Sequence, residues 1–438
     1  MTDGPYRLDA ARQTGVVRQL VAGIALIVLV ASCGVDQSAP AATTQPDQAA
    51  TTVGPAVTAP ATTRPAPTTT RETTATTTSL PDPLAPWRRL DADPATFGDV
   101  TITAGDSAGT RLVLGGCQQL DAAGFPMWWS DGAAAWTRAD GPPDVRCITQ
   151  VESSAFGFYA AGLGVQNQLH SADGVTWEQL DLSSDLGFDE PGQLGVVFAI
   201  FVSPAGDRVT LLYSHAAEGE SRIATLLTTT DGETWTPGPA ASAALFDSSD
   251  ISAVIEGGPG LIAVGASPGG EFVPTAAVFT SPDGLDWTRV TGSDADFNDK
   301  VMTDVMAFES GYVAVGGDFF TTGLMTAWTS PDGVSWIRSP HPPEQTDPSV
   351  AHMTAQAVTI AGESIWAAGR DFDARRATDD GLPAIWASSD GVTWARADFE
   401  EARSTVPFEV VDAPDIRIGV WPPPFSLSRD PVLLFAGE

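Results

Sequence analysis

Basic side chains are scarce in this chain: 22 Lys and Arg stand against 55 Asp and Glu in 438 residues, a formal charge of −33. Nucleic acids and anionic lipid surfaces recruit proteins by exchanging counterions for Lys and Arg, so a nucleic-acid partner is excluded, while cations, sugars and proteins remain open. Histidine is equally sparse. His170, His215, His341 and His352 share no His-x-His or His-x-x-x-His spacing, which gives no zinc or copper site. No Gly-x-Ser-x-Gly elbow precedes a helix and no P-loop is present, so the motifs of serine hydrolases and nucleotide binders are missing and no cofactor is expected. Tyrosine is rare too, 4 residues against 13 Trp. What the chain does have is aromatic bulk and apolar runs of strand length, the mark of a folded, strand-rich body.

Residues 1–33 read as a signal. Arg7, Arg12 and Arg18 precede an apolar run from Leu20 to Val30, too short for a comfortable membrane span and flanked as a secretory leader is. The run ends in Leu29-Val30-Ala31-Ser32-Cys33, which resembles the bacterial lipobox. That resemblance implies that Cys33 becomes the first mature residue, carries lipid, and holds the protein on the outer face of the cell membrane. Residues 34–75 are rich in Thr, Ala and Pro, with almost nothing to bury, and are expected to form a disordered linker.

From residue 76 to 438 one phrase recurs. Ser281-Pro282-Asp283-Gly284-Leu285-Asp286-Trp287 returns at 171–177, 330–336 and 388–394, at 229–235 with Thr in place of Ser, and in worn form from Ser130 to Trp136. Asp accepts bonds from backbone N–H groups just ahead of it and Gly tolerates positive φ, so each phrase is a tight turn built on Asp131, Asp173, Asp231, Asp283, Asp332 or Asp390. The Trp that follows opens a strand and could contribute at most ~4 to 6 kcal/mol by burial, before entropy costs. Between phrases lie three further short apolar runs, as in Val301 to Phe308, Tyr312 to Gly316 and Met325 to Thr329. Four short strands repeated in this way predict an all-β fold, a β-propeller of four-stranded blades. After the sixth turn, Ile416 to Trp421 and Pro431 to Gly437 read as strands of one more blade, and Thr77 to Leu90 reads as a degenerate turn and outer strand. Joining the two ends gives seven blades, the preferred count, with six if residues beyond about 408 are only a covering tail.

With Cys33 assigned to lipid, Cys117 and Cys147 remain as an even pair in an exported chain, and a disulfide between neighbouring blades is expected. Asp294-Ala295-Asp296-Phe297-Asn298-Asp299 alternates oxygen donors but lacks the Gly and Glu of an EF-hand, and is read as a solvated acidic loop. No metal is expected.

The phrase Ser/Thr-x-Asp-Gly-x-x-Trp resembles the Asp-box, or bacterial neuraminidase repeat, with one residue fewer between Asp and Gly. The resemblance covers nearly all of 76–438. It implies a sialidase-like propeller whose Asp turns are structural and lie on the face opposite any ligand site. It does not extend to catalysis: no Arg-Ile-Pro occurs, and Tyr159, Tyr213 and Tyr312 each fall on a second strand, where packing accounts for them. Propeller geometry then directs attention to the loops leaving the second strands. Asp318-Phe319-Phe320 is aromatic, and Arg370-Asp371-Phe372-Asp373-Ala374-Arg375-Arg376 sets an aromatic beside Arg, as contact surfaces do. The expectation is a monomeric, lipid-anchored, non-catalytic module that binds a protein or glycan of the cell envelope. The alternative is a glycoside hydrolase on the same scaffold.

Overall fold

The computed structural model describes residues 87–89, 96–98 and 100–437, apart from 119–123, 133–134, 163–167, 183–193, 217–221, 270–272, 292–296, 309–310, 319–323, 343–352, 372–381, 398–408, 414–415 and 422–432. The leader with Cys33 and the 34–75 linker lie outside the described residues.

Seven four-stranded antiparallel sheets make up the body. Six come from continuous segments in simple meander order, and their inner strands are Val100–Ala108, Ile148–Ser154, Leu194–Val202, Asp250–Gly257, Val301–Phe308 and Met353–Ala361. These define blades 1 to 6. The seventh sheet draws on both ends of the chain: Glu409–Ala413, Ile416–Trp421 and Leu433–Gly437 form its first three strands, and Trp87–Arg89 its fourth. Trp87 pairs with Gly437 and Arg89 with Phe435. The inner strand of blade 7 packs against that of blade 1. The chain is therefore a β-propeller in which the chain ends share a sheet and leave fewer free edges.

The second strands explain why the apolar runs are continuous instead of alternating. In blade 4, Leu261 and Ala263 face blade 3, in a core with Phe201, Phe246 and Trp287. Ile262 and Val264 point the other way, into a core with Met302, Trp328 and Trp336 of blade 5. A strand buried on both faces needs apolar residues at every position.

Each inner strand of blades 1 to 6 carries a β-bulge near its start, with the extra residues Thr103, Thr149, Phe198, Ser252, Thr303 and Gln356. The bulge brings the inner backbone against the second strand. Opposite it stand Gly116, Gly162, Gly265, Gly316 and Gly369 in five of the six blades. A Cβ on Gly116 would come 2.6 Å from the Thr101 carbonyl oxygen, and one on Gly369 would collide with that of Thr354. In these five blades the glycine gives room for the close approach, whereas blade 3 sets Tyr213 opposite the same bulge.

The outer strands follow a second rule. Arg138, Arg289, Arg338 and Arg396 pair with Trp128, Phe279, Trp328 and Trp386 of the third strands, and Arg89 takes the same register opposite Phe435. Guanidinium carbons lie 5.1, 5.9 and 5.6 Å from the rings of Trp128, Phe279 and Trp386. In blades 2 and 3 the third strand offers Leu169 and Leu227, and the outer strand answers with Gln179 and Pro237. The Arg stem covers an aromatic face while its head stays in water. The sequence shorthand is Trp-x-Arg.

Candidate ligand face

The meander order places the Asp turns, between third and fourth strands, at one end of blades 1 to 6. The second-to-third-strand loops and the blade-to-blade connections emerge at the other.

The turns are closed by their own side chains. In the five clear copies the Asp Oδ1 accepts from the N–H groups two and three residues on, as Asp283 does from Leu285 at 2.9 Å and Asp286 at 3.0 Å. The Ser or Thr oxygen accepts from the Gly N–H, as in Ser281 to Gly284 at 2.9 Å. Gly284 has φ +82°, and a Cβ there would meet the Phe201 ring at 3.0 Å. The Trp Nε1 donates to the Gly carbonyl in Trp177, Trp287, Trp336 and Trp394. Asp131 departs from this pattern. Its two oxygens receive Arg111 Nε at 2.8 Å and Nη2 at 3.3 Å, and the positions two and three residues on, 133 and 134, lie outside the described residues.

Backbone N–H groups aimed at a carboxylate favour its charged form. At Asp332 the donors Ser335 and Val334 pull the carboxyl down to about 2, and at Asp231 those of Thr234 and Glu233 pull it lower still. At Asp173 and Asp283 partial burial pushes the other way, yet the backbone donors prevail and both carboxyls sit below the usual range. A carboxyl depressed by folding adds stability above its unfolded value, and that contribution is lost as pH falls from about 4 toward 2. Thermal unfolding of Asp332→Ala is therefore expected to lose less between pH 5 and pH 2.5 than the parent chain. Parallel profiles would show that the turn carboxylate does not govern acid lability.

On the opposite face, Asp318 is buried at the end of its strand, and its N–H donates to the Leu324 carbonyl at 3.0 Å. Arg370 and Asp371 belong to the second strand of blade 6, paired with Thr354 and Met353, and are not loop residues as the sequence suggested. Strand pairing runs to the end of the segment because the third strand, from Leu382, answers both positions. Phe319, Phe320, Phe372, Asp373, Arg375 and Arg376 lie outside the described residues, as do Asp294 and Asp296. Asn298 Oδ1 accepts from Thr275 Oγ1 at 3.4 Å, and its carbonyl accepts Lys300 Nζ at 2.9 Å. Among the described residues no three His, Cys, Asp or Glu side chains cluster as a metal site would require.

Two cross-blade ties lie at this end. Cys117, on the second strand of blade 1, is disulfide-bonded to Cys147, just ahead of blade 2. Arg222 Nη1 meets Asp250 Oδ1 at 2.6 Å, its Nη2 donates to the Ser248 carbonyl at 3.0 Å, and its guanidinium stacks 5.1 Å from the Phe198 ring. Burial raises the Asp250 carboxyl, and Arg222 opposes that rise without cancelling it. The pair joins blade 3 to blade 4. Such a tie fixes geometry more than it adds stability.

Around the axis the inner strands present an unpaired edge, and side chains of the preceding blade cap it. Gln150 of blade 2 accepts from Ile200 N at 2.7 Å and donates to Phe198 O at 2.8 Å in blade 3. Asp304 of blade 5 accepts from Val358 N of blade 6 at 2.8 Å. Asp106 of blade 1 accepts from Ser153 N of blade 2 at 2.5 Å. Thr303 Oγ1 donates to Ala355 O at 2.9 Å, and Thr103 Oγ1 to Ile148 O. None of these caps was singled out from the sequence. A signal exists in the register of Thr149-Gln150-Val151 and Thr303-Asp304-Val305, a polar pair interrupting an apolar strand.

The tyrosines among the described residues are fixed in place. Tyr159 and Tyr213 are buried, and burial, with the Asp231 charge as a lesser cause, pushes the Tyr159 phenol up to about 12; burial raises Tyr213 likewise. Tyr312 OH accepts from Gly258 N at 2.5 Å.

The chain matches no family model and no curated protein. Among solved structures it is similar to YCF48 from Cyanidioschyzon merolae, with 14% identity over 80% of this chain and 98% of that one and a TM-score of 0.45. It is also similar to a sialidase of Trypanosoma rangeli, with 13% identity, 71% and 58% coverage and a TM-score of 0.38. A third is the lectin of Aleuria aurantia, a six-bladed β-propeller, at 12% identity, 68% and 95% coverage and a TM-score of 0.36. The propeller follows from the sheet order and register; likenesses at this level say nothing of what the chain binds.

Proposed function

We propose that this chain is a monomeric lipoprotein of the cell envelope, anchored through Cys33 to the outer face of the membrane. Its Asp-box propeller, in this reading, binds a protein or glycan on the face opposite the Asp turns, without catalysis. One observation supports the non-catalytic part: two carboxylates of the inner strands, Asp106 and Asp304, direct both oxygens at backbone N–H groups. Residues so engaged act as fasteners, whereas glycoside hydrolysis needs two carboxyl groups about 5 to 9 Å apart and open to a sugar. A buried tyrosine with a raised pKa is likewise unsuited to nucleophilic attack. The ligand is assigned to the loops that leave blades 5 and 6, on a scaffold tied by Cys117–Cys147 and Arg222–Asp250.

Two experiments test the reading. Full-length protein in detergent is expected to turn over no member of a chromogenic glycoside panel, while Arg375→Ala combined with Arg376→Ala weakens capture on an envelope-glycan array. Turnover abolished by one carboxylate substitution would instead establish the glycoside hydrolase. Radioactive palmitate is expected to label the parent chain and not Cys33→Ala, and equal labelling would refute the anchor.

A further inference from the structure

An Asp–Gly bond can rearrange. The glycine nitrogen attacks the side-chain carboxyl carbon of the aspartate and a C–N bond forms. The nitrogen gives up its proton, a carboxyl oxygen departs as water, and a five-membered succinimide results. Water then opens the ring, and where it attacks the main-chain carbonyl the chain is left joined through the side chain, as isoaspartate. Glycine makes the attack easiest because it has no Cβ to block the approach. The step still needs an accessible nitrogen and space for the ring.

The repeated turn presents this bond six times and shuts it five times. Gly174, Gly232, Gly284, Gly333 and Gly391 are buried, and each N–H donates to the Ser or Thr oxygen three residues back, at 2.8 or 2.9 Å. Each is also pressed against the preceding blade: a Cβ would stand 2.8 Å from Val113 on Gly174, 2.8 Å from Phe156 on Gly232, 2.5 Å from Ile262 on Gly333 and 3.1 Å from Thr329 on Gly391. Asp140–Gly141 is closed differently, since Asp140 pairs with Thr176 and a Cβ on Gly141 would meet Phe125 at 2.5 Å. The worn copy has none of these walls. Position 129, three before Gly132, is Trp, which offers no acceptor. Gly132 is exposed, its N–H donates to the Thr110 carbonyl at 3.1 Å, and a Cβ on it would meet nothing within 4 Å. The Asp131 side chain is 56% exposed. We propose that Asp131–Gly132 is the bond at which this propeller ages, and that isoaspartate formed there unfastens blade 1 from the turn of blade 2.

Arg111 carries the consequence. Its Nε and Nη2 donate to Asp131 at 2.8 and 3.3 Å, its Nη1 donates to the Asp173 carbonyl in the turn of blade 2, and its guanidinium lies 4.5 Å from the Trp129 ring. Isoaspartate keeps a carboxylate, but directly on Cα, and the backbone gains a methylene. The planar fork that aims Arg111 at blade 2 is then lost. The Cys117–Cys147 disulfide still joins the same two blades at the other end, so the result is a local loosening and not unfolding.

Full-length protein stored at 37 °C and pH 6 is expected to gain isoaspartate at Asp131 several times faster than at Asp173, Asp231, Asp283, Asp332 or Asp390, read by fragmentation mass spectrometry of its peptides. In urea the contrast should vanish, because all six share the Asp–Gly bond. Amide exchange at residues 174–177 is expected to be faster in stored than in fresh parent, and unchanged by storage in Asp131→Glu, which keeps an acid for Arg111 and cannot close a five-membered ring. Equal isoaspartate at the six turns of the folded protein, or a contrast that persists in urea, would overturn the proposal. Isoaspartate at Asp131 with unchanged exchange at 174–177 would refute the unfastening. Should the variant fail to fold, stored against fresh parent decides.

Discussion

Alanine in place of Trp287 is expected to destabilise the propeller by about 3–5 kcal/mol, the range for a buried large aromatic cut to a methyl. The ring is nearly inaccessible and packs edge-on to Phe201 and Phe246, each at 5.4 Å between centroids. Phe201 belongs to blade 3, so the residue that ends the turn of one blade glues it to the blade before. The same holds elsewhere: Trp177 lies in a core with Val113 of blade 1, Trp336 with Ile262 of blade 4, and Trp394 with Val313 of blade 5. The substitution also leaves the Gly284 carbonyl without its 3.0 Å donor. Trp136 of the worn copy is only partly buried, and Trp136→Ala should cost visibly less. Denaturant unfolding of the two variants checks both statements, and equal losses would contradict the seam role given to Trp287.

Removal of residues 409–438 is expected to abolish cooperative unfolding, whereas removal of residues 1–90 should leave a folded propeller. Val411 and Ile418 of blade 7 share a core with Phe97, Ile102, Leu112, Leu114 and Trp128 of blade 1. Without them those five side chains lose part of their cover. At about 1.5–3 kcal/mol for each large apolar side chain fully exposed, the loss approaches the whole stability of an ordinary domain, about 5–15 kcal/mol. The opposite truncation removes one three-residue outer strand, Trp87–Arg89, and touches no inner strand. Circular dichroism melts of both proteins would show the asymmetry, and a cooperative transition in the chain ending at 408 would refute it.

Much of this was legible without coordinates because turns and strand runs are local. Asp and Gly four and three residues ahead of a Trp dictate a turn, and the five clear phrases all fold that way. Asp131 also takes a partner that no local pattern names, Arg111, twenty residues away. Arg370 and Asp371 read as loop residues because charge usually marks a loop, but strand pairing on both sides overrode that preference.

The sequence by itself determined the repeat, the position of every clear turn, the apolar second strands and the pairing of the two chain ends, since each depends on neighbours in the chain or on period. Apart from the Cys117–Cys147 disulfide, which the cysteine count already suggested, the tertiary structure decided how the blades are fastened to one another. The bonds from the bulge residues Thr103 and Thr303, the caps Asp106, Gln150 and Asp304, and the tie between Arg222 and Asp250 each join residues about 25 to 55 positions apart. No local pattern specifies such partners. They meet because an inner strand in a ring has one unpaired edge, and the only groups in reach of it belong to the next blade.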